Sequence, residues 1–242
     1  MFKKFSLFII AASVMSELFA ASPIGTYGLD VGDFTQLKVT SPINVRYVSC
    51  PDSAGMVRYE STPEMASIIS FSNTGQKLVV EFSTKGTHYM DAPTVTVYST
   101  FLAVAENHSD SLIRLDKVAP CPELKLKIMG NGRISANDVT ATKVSASITT
   151  GHGSIMVTGK CDEASLSSIS TGSIQADGLQ ADVVSCKMMG TGEIGCWPEQ
   201  KLSVSRLSVG SGRIYYKGNP RLIENKSINI KVEPIVHPSG VE

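Results

Sequence analysis

The chain predicts an all-β fold in which a right-handed parallel β-helix of about five coils, each of ~20 residues, carries an N-terminal β cap continuous with it. Three observations lead there. A Gly-x-Ile element recurs at near-constant spacing, other apolar and polar columns keep the same period, and the composition suits short strands and tight turns. Charged residues are 18% and aromatics 7% of the 242 residues. That balance disfavours long salt-bridged helices.

The repeat is Gly132-Arg-Ile134, Gly153-Ser-Ile155, Gly172-Ser-Ile174, Gly192-Glu-Ile194 and Gly212-Arg-Ile214, with successive isoleucines 21, 19, 20 and 20 residues apart. A fixed period of this length is the signature of stacked supersecondary units. Gly130, Gly151, Gly190 and Gly210 stand two residues before the repeat glycines, and Ser170 breaks the column. Two residues after each isoleucine come Ala136, Val157, Ala176, Cys196 and Tyr216, giving a short strand with alternating faces. Asp138, Gly159, Gly178, Pro198 and Gly218 then supply a turn.

A second strand precedes the glycines. Leu124, Val144, Ala164, Val184 and Val204 point inward, and Lys125, Ser145, Ser165, Ser185 and Ser205 point outward. A further inward column of Leu126, Ala146, Leu166 and Cys186 fails at Arg206, where Leu207 and Val209 are expected to take over in shifted phase, through a local bulge or a frayed last coil. Upstream, Phe34-x-x-Leu-x-Val39, Ile43-x-Val-x-Tyr47, Leu78-x-Val-x-Phe82 and Val95-x-Val97 read as strands capping the first coil. The expected divisions are a signal peptide over 1–20, the cap over 21–119, the β-helix over 120–230 with its seam at Pro120-Cys-Pro122, and an irregular tail over 231–242.

The N-terminus runs Met1-Phe-Lys-Lys, then an apolar stretch from Phe5 to Met15, then small residues around Ala20. This is the order of a secretory signal, and the stretch is too short to span a bilayer. The mature chain is therefore expected in the periplasm or outside the cell, without a transmembrane anchor. Removing residues 1–20 takes away Lys3, Lys4 and Glu17, leaving 20 basic residues against 21 acidic. So neutral a chain, with no basic run, gives little pull on nucleic acid or anionic lipid. Cys50, Cys121, Cys161, Cys186 and Cys196 match no disulfide framework or zinc motif, and their connectivity stays open.

The opening Phe34/Leu37/Val39, the Gly-x-Gly-x-Ile coils and the closing Gly210-Ser-Gly-Arg-Ile-Tyr-Tyr-Lys-Gly-Asn-Pro220 resemble the head-GIN domain family of exported proteins from Bacteroides-type bacteria, labelled as autotransporter adhesins. The resemblance implies an exported β-helical domain with an adhesive role. Family coils often carry Asp between the last glycine and the isoleucine. Here those positions are Arg133, Ser154, Ser173, Glu193 and Arg213, so no acidic ladder is expected. Nor is a chain ending at Glu242 expected to have room for an outer-membrane barrel.

Candidate sites each have an ordinary structural reading beside the functional one. Gly190-Thr-Gly-Glu-Ile-Gly195 matches a dinucleotide fingerprint but recurs as a repeat element without βαβ context. His88, His108, His152 and His237 lack ligand spacing, and His152 reads as an exposed turn residue. Asp162 and Asp182, with Glu163 nearby, stack about 5 Å apart at coil spacing and resemble the carboxylate clusters of β-helix lyases and hydrolases; the alternative is a solvated turn, since Thr142 and Leu202 do not continue the column. On the outward side, Met156, Trp197, Tyr215 and Lys217 are candidate binding residues. Trp197 and Tyr215 could share a sugar- or protein-binding face, or Trp197 could pack on the Lys217 stem. Cys186 and Cys196 read as core residues.

The residues point to a non-enzymatic exported module that presents polar solenoid faces to a surface glycan or protein, with no cofactor or metal implied. A carbohydrate-active β-helix lyase or hydrolase is the alternative. A structural envelope scaffold, which would oligomerise, is the third reading.

Overall fold

In the computed structural model, residues 24–83 and 92–235 are described. The expected signal peptide, His88 and His237 lie outside them. The strands are β1 (Gly25–Asp30), β2 (Gln36–Val39), β3 (Val45–Ser49), β4 (Met56–Ser61), β5 (Ile69–Thr74), β6 (Lys77–Phe82), β7 (Val95–Ser99), β8 (Val104–Asn107) and β9 (Leu112–Lys117). They continue as β10 (Cys121–Met129), β11 (Arg133–Thr150), β12 (Ser154–Ser168), β13 (Ser173–Gly190), β14 (Glu193–Val204), β15 (Val209–Gly210), β16 (Arg213–Tyr216), β17 (Leu222–Asn225) and β18 (Lys231–Pro234).

Parallel pairing stacks these strands into a β-solenoid. One ladder runs Val95, Val45, Ile113, Ile134, Ile155, Ile174, Ile194, Ile214, Val232, each residue paired with the next. A second runs Leu78, Leu37, Ala105, Leu126, Ala146, Leu166, Cys186, Val204, Asn225. Between them a short face stacks Cys121, Ala141, Cys161, Ala181 and Pro198. All five repeat isoleucines are at most 1% exposed, and each contributes about 1.5–3 kcal/mol by leaving water.

Consecutive winding from Val104 to Pro234 makes about seven turns, more than the five of the recognisable repeat. The added turns come from β8/β9 before the first Gly-x-Ile pair and from β17/β18 after the last. Lys231–Pro234, expected to be irregular, thus forms the final rung on β16. At the other end β2/β3 and β6/β7 are solenoid rungs as well, stacked out of chain order. β2 lies between β6 and β8, and β3 between β7 and β9.

The end beyond them is closed by antiparallel strands, β1 on β4, β4 on β7 and β5 on β6, which cover the edge that a solenoid otherwise leaves unpaired. The helix α1 (Pro63–Ile68) links β4 to β5, started by Thr62, whose side chain accepts from the Met65 N–H at 3.4 Å, and by Pro63 at its first position.

The two glycine columns do different work. The first adopts positive φ, as at Gly190 (143°) and Gly210 (143°). The second is packed against the preceding coil: a Cβ on Gly192 would run into the Gly172 carbonyl oxygen, and one on Gly153 would sit 2.6 Å from Ile128 Cγ2.

Two register details depart from the twenty-residue expectation. Cys196 leads straight to Trp197, which pairs with Gln180, so the corner Asp177-Gly178-Leu179 has no counterpart in the next coil. That shortcut moves Leu202 onto Val184 and Ser203, not Ser205, onto Ser185. The chain regains phase in the turn at 205–208. There Leu207 and Val209 do not re-enter the core but are 60% and 48% exposed, and Ser208 is buried, its hydroxyl accepting from the Met188 N–H at 3.1 Å.

Candidate groove on the Gly-x-Ile face

The outward side of the Gly-x-Ile sheet is set by the same stacking. Ser135, Met156, Gln175, Gly195, Tyr215 and Glu233 pair in succession and form one outward column. Gly195 has no side chain to fill its place between Gln175 and Tyr215. The gap is the floor of a groove of about 590 Å³, lined also by Ser173, Asp177, Glu193 and Pro234. An added Cβ at Gly195 would meet only Asp177, with Oδ1 at 3.5 Å, an ordinary contact. The glycine therefore creates space there without being needed by the backbone.

The walls are chemically mixed. The half-buried Tyr215 ring stands at one side, and its hydroxyl accepts from Arg213 Nη1 at 3.2 Å. That bond, with Glu233 and Glu193 nearby, pushes the Arg213 guanidinium further up in pKa. Gln175 supplies an amide, and Asp177, Glu193 and Glu233 supply carboxylates. An aromatic plane beside convergent hydrogen-bonding groups in a concavity suits a polyhydroxylated ligand with an apolar face.

The four outward candidates separate into two places. Tyr215 lines the groove, and Met156, 44% exposed, lies in the same column beyond Gln175. Trp197 sits past the shortened corner with Lys217 Nζ 4.0 Å from its ring centroid and Gly218 beneath the ring. These two form a cation–π pair away from the groove. Gln175, Asp177, Glu193, Gly195 and Glu233 are groove residues that the sequence reading does not gather. The available signal is a glycine in an otherwise side-chain-bearing outward column, Ser135-Met156-Gln175-Gly195-Tyr215.

Asp162 and Asp182 line a second cavity of about 320 Å³ on the short face, with Lys160, Gln180 and Glu199. Gln180 Nε2 donates to Glu199 Oε1 at 3.1 Å. Among the described residues no group of three His, Cys, Asp or Glu is placed to hold a metal ion. Beneath them, burial first and the charge of Asp162 next push the Cys161 thiol up to about 11. His152 lies in an exposed corner, its N–H donating to Asn131 Oδ1 at 3.1 Å and its Nδ1 2.6 Å from Thr171 Oγ1. The Gly190–Gly195 segment is a solenoid corner between β13 and β14. Cys186 and Cys196 are both buried as free thiols; Cys196 Sγ donates to the Tyr215 carbonyl at 3.5 Å, and its sulfur beside Cys186, with burial, raises the Cys186 pKa.

Residues 33–220 match the family described as putative auto-transporter adhesin, head GIN domain. The fold is similar to that of a putative adhesin from Bacteroides fragilis NCTC 9343, with TM-score 0.80 and 19% identity, covering 89% of this chain and 98% of that one. It is also similar to a putative adhesin from Parabacteroides distasonis ATCC 8503 (TM-score 0.70, 22% identity, 88% and 98% covered). A putative lipid binding protein from the same organism follows at TM-score 0.64 and 19% identity, with 88% and 97% covered. No curated protein matches the chain.

Proposed function

The chain belongs to the family of putative auto-transporter adhesins with a head GIN domain, and on that premise we propose that it is an exported, non-enzymatic binding module whose groove on the Gly-x-Ile face takes a carbohydrate. The observation that carries this reading is the Gly195 gap between Gln175 and Tyr215, rimmed by Asp177, Glu193 and Glu233. Sugar hydroxyls donate to carboxylates and amide oxygens, and the apolar face of a pyranose lies against an aromatic ring. Rigid β-rungs hold these groups at fixed spacing, so little ordering is required on binding. Trp197 and Lys217 support the corner rather than the ligand.

A glycan array read with the mature chain tests the proposal. Binding to a restricted set of glycans that is lost in Tyr215→Ala is the expected result. Binding unchanged in Tyr215→Ala, or none to any glycan, contradicts it. The three carboxylates in one groove favour a carbohydrate-active enzyme as the second reading. Release of reducing ends from a polysaccharide, abolished in Glu193→Gln, would establish that reading instead.

A further inference from the structure

An exposed apolar stripe runs along one edge of the solenoid, on the outward side of the strand that precedes each Gly-x-Gly corner. Met129, Ile169, Met189, Val209 and Ile228 form it and are 47%, 41%, 42%, 48% and 56% exposed. Met189 pairs with Val209, and Val209 bridges to Ile228. Ile169 follows Ser168, the partner of Met188, and Met129 pairs with Thr150, the polar rung of the row. At ~4.8 Å per coil the row is about 24 Å long. Leu207, 60% exposed, stands beside it in the turn before Val209. Solvated surfaces scatter large apolar side chains singly, and a contiguous row of them marks an interaction site.

The stripe is flanked by cations on both sides. Lys127, Lys187, Arg206 and Lys226 lie before it on the strands or turns, and Arg133, Arg213 and Lys231 lie past the corner. Against these stand Asp110 in the first corner, Glu193, between Arg213 and Ser173 in its column, Glu233 near Arg213, Glu106, 3.4 Å from Lys127, and Glu224, 3.5 Å from Lys226, five acids to seven bases. This edge is basic although the whole chain has a formal net charge of zero. The coil period sorts the charges that the overall count cancels.

We propose that this edge docks on an anionic lipid surface, the methionines and aliphatic side chains entering the interface while the lysines and arginines reach headgroup phosphates. A row of exposed apolar side chains, one per coil with a single polar rung, can meet a planar bilayer along its whole length. A second copy would set one set of basic flanks against another. An anionic surface satisfies both the stripe and its flanks. The groove adjoins the far flank, where Glu193 lines it and Arg213 donates to its Tyr215 wall, but none of the stripe's apolar residues lies in it.

Vesicle flotation of the mature full chain tests this, with phosphatidylcholine alone and with phosphatidylglycerol added, at low and high salt. Binding is expected to the phosphatidylglycerol vesicles and to fall with salt. It should drop about tenfold in Ile169→Ser/Met189→Ser and similarly in Lys187→Glu/Arg206→Glu. All four positions are on the surface, and circular dichroism checks that the fold is kept. Gly195→Leu should float as the parent does, which separates this edge from the groove. Absence of binding to phosphatidylglycerol vesicles at low salt, equal binding by the variants, or a dimer in light scattering that the stripe variant dissociates would each overturn the proposal.

Discussion

Two glycines three residues apart show how position decides what a residue does. Gly192 lies against the Gly172 carbonyl, so Gly192→Val must push one coil away from the next. The expected cost is about 3 kcal/mol, read as a lower melting temperature and a lower denaturant midpoint. Gly195 faces open groove, and a side chain there fits. The thiol of Cys161 and the phenol of Tyr47 make a different kind of prediction. Burial raises Cys161 from 9.0 to about 11 and Tyr47 from 10.0 to about 12. Above pH 9 the unfolded chain loses these protons before the folded one does, so it binds fewer protons and is favoured. Stability is fully present below pH 9 and should decline from there to about pH 12. Denaturant melts across that range check it, and the decline should be shallower in Cys161→Ala.

Among the elements, the coils with a Gly-x-Ile motif are legible because each rung repeats the same inward residue every twenty or so positions. The N-terminal rungs are legible as strands but not in their order. Leu37, Leu78 and Ala105 present interchangeable apolar faces, and only the antiparallel closure by β1, β4 and β5 decides that β6 lies outside β2. β18 escapes notice because a four-residue strand ending in Pro234 looks like a tail. With it goes Glu233, one wall of the groove. Tyr215 was readable as an outward aromatic, whereas the groove needs a gap and side chains from four successive rungs.

Asn107 marks where β8 becomes a corner. It stands between Val39 and Ile128 in a buried column that also holds Ser168, is itself fully buried, and has Nδ2 donating to the Ser111 and Arg133 carbonyls at 2.8 and 3.1 Å and Oδ1 accepting from Ser109. Asn107→Ala removes these bonds and takes the side-chain acceptor from the Ser109 N–H, while the Ser111 carbonyl keeps the Arg133 N–H; it should cost about 2–3 kcal/mol in chemical unfolding.

At the scale of the whole molecule, one buried cluster extends from Phe34 to Ile230, and parallel pairing crosses from β8 to β10 and from β9 to β11. A single cooperative calorimetric transition is therefore expected, with Gly192→Val lowering it as a unit; two separable transitions would mean that the N-terminal rungs fold apart from the rest. The same stacking that builds the core makes every outward position a column, so a single missing side chain becomes a groove. Titration calorimetry reads that consequence at Gly195. The glycan selected by the array is titrated into the parent chain and into Gly195→Leu, whose Cβ meets Asp177 at ordinary contact distance and whose further atoms are to occupy the groove floor. An unchanged melting temperature and loss of binding are expected in Gly195→Leu, and affinity lost together with stability is not. Undiminished affinity in that variant would contradict the groove as the binding site.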